Sequence, residues 1–356
     1  MRVTLLAAVC LASLLTAAEA RGPRWGGLGG VAASPDGKTV VTAGDNRTLY
    51  VLDASTLEVK QRAYFGYRIG ALAYSKDGST LVVETDDGFG GSIRFLDPAT
   101  FKEKSPAVKG ERLTTARAAD LGVAVGGKFK AYEVVVFSLQ DGSVKAKVPY
   151  GDAVGSAALN ADGTKLYLLG ADKDVTNEKK VPYNMIPKDL KDLARDEFTQ
   201  KNDGRGSTLT VYEIPSGKQV AKHELFYTAG SDPALLAAGD TLYVLTYSNV
   251  NAKIGTADGA TEVFKKAGGG YAIAVSPDHK QFLNAGMVGF AGNEGNLGTV
   301  EGLKMTAFGI EKIPGFPEYY GAFTFADDGS MYAATTAYRL IKLSKAGTVE
   351  KVVPVY

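Results

Sequence analysis

The side chains in this chain that could do chemistry are few and of restricted kinds. Its two histidines, His223 and His279, are too few for a multi-histidine copper or zinc centre. Its single cysteine, Cys10, lies in the apolar opening MRVTLLAAVCLASLLTAAEA, so the chain beyond Ala20 has no thiol nucleophile, disulfide or cysteine metal site. Neither C-x-x-C-H, for covalent haem, nor G-x-S-x-G, for a serine nucleophile, occurs. What remains is tyrosine, arginine and carboxylate. Tyr67 and Arg68 lie in AYFGYRIG, Tyr150 and Asp152 in VPYGDAVG, Tyr227 in LFYTAGSD, Tyr271 in AGGGYAI, and Tyr319 and Tyr320 in GFPEYYG. Asp86 and Asp87 make an acidic pair, and Asp45 stands near Arg47. Tyrosine joins apolar area to a polar tip, which suits a contact surface as well as it suits packing. Two carboxylates fall short of the roughly six to eight oxygens that calcium takes. These residues therefore predict a binding surface, with no catalytic residue, cofactor or metal site.

The elements that must position them follow from a repeat. A polar turn with Asp and Gly between two apolar runs appears as SPDG (34–37), SKDG (75–78), NADG (160–163), SPDH (276–279) and ADDG (326–329), with weaker copies ADLG (119–122) and AAGD (237–240). Steps of 41, 43 and 42 residues separate Asp36, Asp77, Asp120 and Asp162. A period near 40 residues with four strand-like runs is the mark of a β-propeller blade. In the first copy GLGGVAAS, KTVVTAG, TLYVLDA and EVKQRAY supply strands a to d. Pro35 presets one corner of the a–b turn, and Asp36 and Gly37 tolerate its geometry. A lone blade has two apolar faces, so only stacking in a ring buries both. Units starting near Leu28, Ile69, Thr114, Ala153, Asp232, Gly269 and Tyr320 predict an all-β, seven-bladed propeller of four-stranded antiparallel blades. The last strand of the last blade is VEKVVPVY, and closure is either in register or through a clasp strand from residues 21–27.

LYVLDASTLEV (49–59), SIRFLDPATFKE (92–103) and LTVYEIPSGKQV (209–220) resemble the YVTN-type repeat of secreted bacterial propellers. SPDGKTVVTAG (34–44) is similar to WD40-like and TolB-like repeats. The resemblance spans nearly all of the chain after Ala20. It speaks to fold more than to function, because such propellers include binding proteins, lactonases and enzyme subunits. The chain departs from several catalytic relatives. Its only tryptophan, Trp25, lies outside the blades, which removes the WD dipeptide and the repeated tryptophan docking motifs of quinone-dependent dehydrogenases. Gly37 and Gly78 directly follow their Asp, unlike the Asp box of sialidases.

Antiparallel order puts the a–b and c–d turns on one face of the disc (the turn face) and the b–c and d–a connections on the other (the loop face). The turn face is uniform and the loop face varied, so function is expected on the loop face. Besides the tyrosines it carries an insertion in blade 4, about 171–207, expected to be partly helical from Pro187 with Leu190, Leu193, Ala194 and Phe198 on one side. It also carries Gly286, Gly289, Gly292, Gly295 and Gly298 at every third residue, read as close packing of a b–c loop. Residues 1–20, with Arg2, an apolar stretch from Val3 to Leu15 and Ala18 and Ala20 around Glu19, read as a signal peptide cleaved after Ala20. That leaves 21–356 as a single propeller in the periplasm or outside a bacterium, with no transmembrane segment in the mature chain. A net charge of +1 argues against nucleic acid as a partner. The expected function is a non-catalytic interaction scaffold or envelope-complex subunit with a protein partner. The alternatives are a lactonase-like or other hydrolytic propeller, and a sugar- or ion-binding module.

Overall fold

The computed structural model describes residues 26–356 except 87–89, 129–130, 152, 171–172, 175–184, 192–193, 196–197, 199–204, 226–232, 246–249, 266–272, 286–293, 301–303, 312 and 315–317. Seven antiparallel sheets follow one another along the chain, each ordered a-b-c-d from the axis outward. Blade 1 is Leu28–Ala33, Thr39–Gly44, Thr48–Asp53 and Val59–Tyr64. Blade 2 begins at Arg68, blade 3 at Glu111, blade 4 at Val154, blade 5 at Ala234, blade 6 at Ile273 and blade 7 at Tyr320. In blade 4 a short strand, Lys173–Asp174, pairs with Arg205 and Gly206 and prolongs the b–c hairpin away from the sheet. Of the partly helical segment expected in this insertion, the described residues show α-helix at Ala194, Arg195 and Phe198 alone, and most of 175–204 lies outside the described residues.

Burial falls from the axis to the rim, as the sequence pattern requires. In blade 1 the inner strand LGGVAA is wholly buried, whereas the outer strand VKQRAY is mostly exposed. Charged side chains on an outermost strand discourage edge pairing, and in blade 2 Pro106 within the outer strand adds to this. The core lies between blades rather than within them. Phe95 of blade 2 meets Phe137 of blade 3 edge to face, with centroids 5.6 Å apart and planes at 83°, a geometry adding about 0.5–1.5 kcal/mol to the burial itself. Gly295 and Gly298 belong to the third strand of blade 6, where side chains would strike the rings of Phe308 and Phe282.

The a–b turns are held by their own side chains. The Ser34 hydroxyl donates to Asp36 Oδ1 at 2.6 Å and accepts the Thr39 N–H at 3.0 Å, while the Gly37 N–H reaches Ser34 O. Ser75 with Asp77 and Ser276 with Asp278 repeat the arrangement. Blade 3 departs from it. There the Asp120 N–H bonds Arg117 O, with Asp120 at φ +55°, so Asp120 stands where blade 1 has Gly37 and Arg117 where it has Ser34.

Among the described residues the ring closes without strand exchange, with blade 7 built from 320–354 and blade 1 from 28–64; of the clasp candidates 21–27, residues 21–25 lie outside the described residues. Leu28, Tyr50 and Leu52 pack against Tyr332, Leu340 and Val355 across this seam. The Tyr332 hydroxyl donates to Ala54 O at 3.1 Å, Tyr338 donates to Asp45, and Lys351 Nζ donates to Thr56 O.

Candidate functional site: the loop face

The connection from blade 1 to blade 2 is the best described aromatic stretch on the loop face. Tyr64 ends the outer strand of blade 1 in register with Thr48, and the residue is 74% exposed. The Phe65 N–H bonds Arg47 O at 2.8 Å, which ties the connection to the neighbouring b–c loop. Phe65 packs edge-on against Tyr67 at 5.9 Å and also against the core between blades 1 and 2. The Arg94 guanidinium lies 4.3 Å from the centre of the Tyr67 ring, and the same guanidinium pairs with Glu103. Such a stack is worth about 0.5–1 kcal/mol at an exposed site, which favours this orientation of the ring. Arg68 opens the inner strand of blade 2 opposite Asp86.

Among the described residues the other candidates do not gather at one place. Tyr150 is 8% exposed within the core between blades 3 and 4, where its hydroxyl fills the space beside Gly170. Tyr320 is 6% exposed in the core of blades 6 and 7, against Phe308 and Phe323, and burial raises its hydroxyl pKa well above the usual range. Tyr319 is half-buried, and its backbone is bonded in both directions with Thr336. Asp87, Asp152, Tyr227 and Tyr271 lie outside the described residues. Tyr67, Arg68, Asp86 and Tyr319 are thus the described candidates with surface to present.

Two carboxylates, the half-buried Glu84 and the buried Glu318, were not singled out from sequence. Glu84 accepts the Arg112 N–H at 3.0 Å and the Leu113 N–H at 2.8 Å, tying blade 2 to blade 3. Burial raises its pKa, and these two bonds oppose the rise. Arg112 in turn donates to Val154 O and Gly155 O of blade 4 at 2.8 and 3.0 Å. Glu318, 1% exposed, takes a forked pair of bonds from Arg339 and a third from Thr335. A charged residue inside an apolar strand, as in LVVETD, is the one local signal that could have marked Glu84. Among the described residues no group of three or more His, Cys, Asp or Glu could hold a metal ion. A groove of about 350 Å³ beside Lys165, Glu213 and Pro215 lies on the turn face of blade 4, away from these residues.

These features define the chain as a seven-bladed β-propeller. In shape it is similar to a chain of Kuenenia stuttgartiensis hydrazine synthase, with a TM-score of 0.54 and 13% identity over 80% of this chain and 83% of that one, a likeness of fold. No family model and no curated protein matches the sequence. No helix among the described residues is long and apolar enough to cross a membrane.

Proposed function

We propose that this chain is a non-catalytic propeller of the bacterial envelope, exported by residues 1–20, that holds a protein partner on its loop face. The observation that carries this reading is Tyr64, a residue 74% exposed on a strand pinned in register and flanked by Tyr67 and Arg68. Tyrosine and arginine are the types enriched at the energetic centres of interfaces, and a rigid base lowers the ordering cost of binding. The carboxylates Glu84 and Glu318 support the non-catalytic part, since each is occupied in holding structure together. The test is a crosslinked pull-down from native envelopes. Tyr64→Ala and Tyr67→Ala should weaken capture of the dominant partner about tenfold each, while Val144→Ala, an exposed apolar position on the turn face, leaves it unchanged. Equal capture by all three variants sinks the loop-face reading. Recovery of the chain from the cytoplasm with residues 1–20 still attached sinks the envelope reading.

A further inference from the structure

One contact crosses the middle of the disc. Arg117 follows the inner strand of blade 3, and Asp327 sits in the a–b turn of blade 7. Blades 1 and 2 separate them on one side of the ring and blades 4, 5 and 6 on the other, so any bond between them spans the central channel at the turn face. Arg117 Nη1 lies 3.2 Å from Asp327 Oδ1 and Nη2 lies 3.3 Å from Oδ2, a parallel fork. Forked arginine–carboxylate pairs combine strength with a fixed geometry. The arginine side chain is only 16% exposed and the aspartate 45%. Burial lowers the guanidinium pKa, and the Asp327 carboxylate opposes this.

The local sequence explains how the arginine comes to be there. Where the turns of blades 1, 2 and 6 use serine to brace their own aspartate, blade 3 has Arg117 at that position, and its Asp120 instead accepts the Lys76 N–H at 2.7 Å. The turn is therefore held from blade 2, and Arg117 is left to reach inward.

We infer that Arg117 and Asp327 form a bolt across the channel, closing its turn-face mouth and bracing opposite sides of the ring against opening at the seam between blades 7 and 1. The experiment is amide hydrogen exchange on the full chain, read in the inner strands Leu28–Ala33 and Tyr320–Phe325. Asp327→Asn and Arg117→Met should each speed exchange there about fivefold. The double variant should be no faster than the quicker single, and the exchanged pair Arg117→Asp with Asp327→Arg should recover most of the protection. Multiplying effects in the double variant, or no recovery in the exchanged pair, would show that each residue acts through its own neighbours and would overturn the bolt. Should Arg117→Met fail to fold, Asp327→Asn read at low and at about 1 M salt keeps the test. Wild-type exchange should rise toward that of the variant as salt screens the pair, and a salt-independent difference counts against it.

Discussion

Two glycines show at the residue scale what a sequence can and cannot disclose. Gly37 is legible, because SPDG announces a turn whose last corner must be left-handed, and the residue does sit at φ +68° with nothing within 4 Å of where a Cβ would stand. Gly321 is not legible. Nothing in PEYYGAFTF says that Leu28 O, some 290 residues earlier in the chain, passes where its side chain would begin. Substitution should separate the two causes. Gly37→Ala should cost about 1–2 kcal/mol of backbone strain, and Gly37→Asn less, because asparagine tolerates the left-handed region. Gly321→Ala should cost about 3 kcal/mol, with no relief from asparagine. Urea unfolding midpoints measure both, and equal costs at the two sites would remove the distinction. The tyrosines follow the same logic. Their types were plain in the sequence, but whether a ring is exposed like Tyr64 or enclosed like Tyr150 and Tyr320 depends on the neighbouring blade, which lies far away in the chain.

Strands and turns were legible as elements because the chemistry that makes them is local. The period of apolar runs and the Asp–Gly corners place the inner edge of most blades within a few residues. Blade 3 begins at Glu111 rather than near Thr114, and its turn lacks the serine and glycine found together in blades 1 and 2. The blade-4 insertion was harder to read, since its charges balance and no repeat constrains it. The braced turns have a pH signature. The Ser79 N–H and the Ser75 hydroxyl hold the Asp77 carboxyl down to about 2, with Ser79 the larger cause, and Asp36, Asp162, Asp278 and Asp328 are lowered by similar bonds. A carboxyl with a lowered folded-state pKa adds stability above its unfolded value near 3.8 and loses it as pH falls toward about 2. The wild type should therefore weaken through that window. Asp77→Asn should be less stable than wild type at neutral pH and nearly equal to it at about pH 2. A gap between the two that stays constant across the same titration would show that the carboxylate's charge plays no part in bracing the turn.

Across the whole molecule, ring closure is the feature with the least local signal. Each of the other junctions has a chain connection across it, whereas among the described residues blades 7 and 1 are held together by side-chain packing, the close backbone approach of Leu28 to Gly321 and a few polar bonds. Among these bonds is that of Tyr332, 2% exposed, whose hydroxyl reaches Ala54 O; burial pushes the phenol up to about 12, so it remains a donor at any ordinary pH. Tyr332→Phe leaves that buried carbonyl without its partner, a loss of about 1 kcal/mol or a factor of about five in an opening equilibrium. If the seam and the Arg117–Asp327 pair resist the same opening, their losses add in free energy and multiply in exchange. Tyr332→Phe with Asp327→Asn should then speed exchange of Leu28–Ala33 about 25-fold. Amides in the outer strand Gln219–Leu225 of blade 4, far from the seam, should keep their wild-type rates. Acceleration in both places would mean that the ring loosens as a whole, and the seam would lose its standing as the point where this propeller first opens.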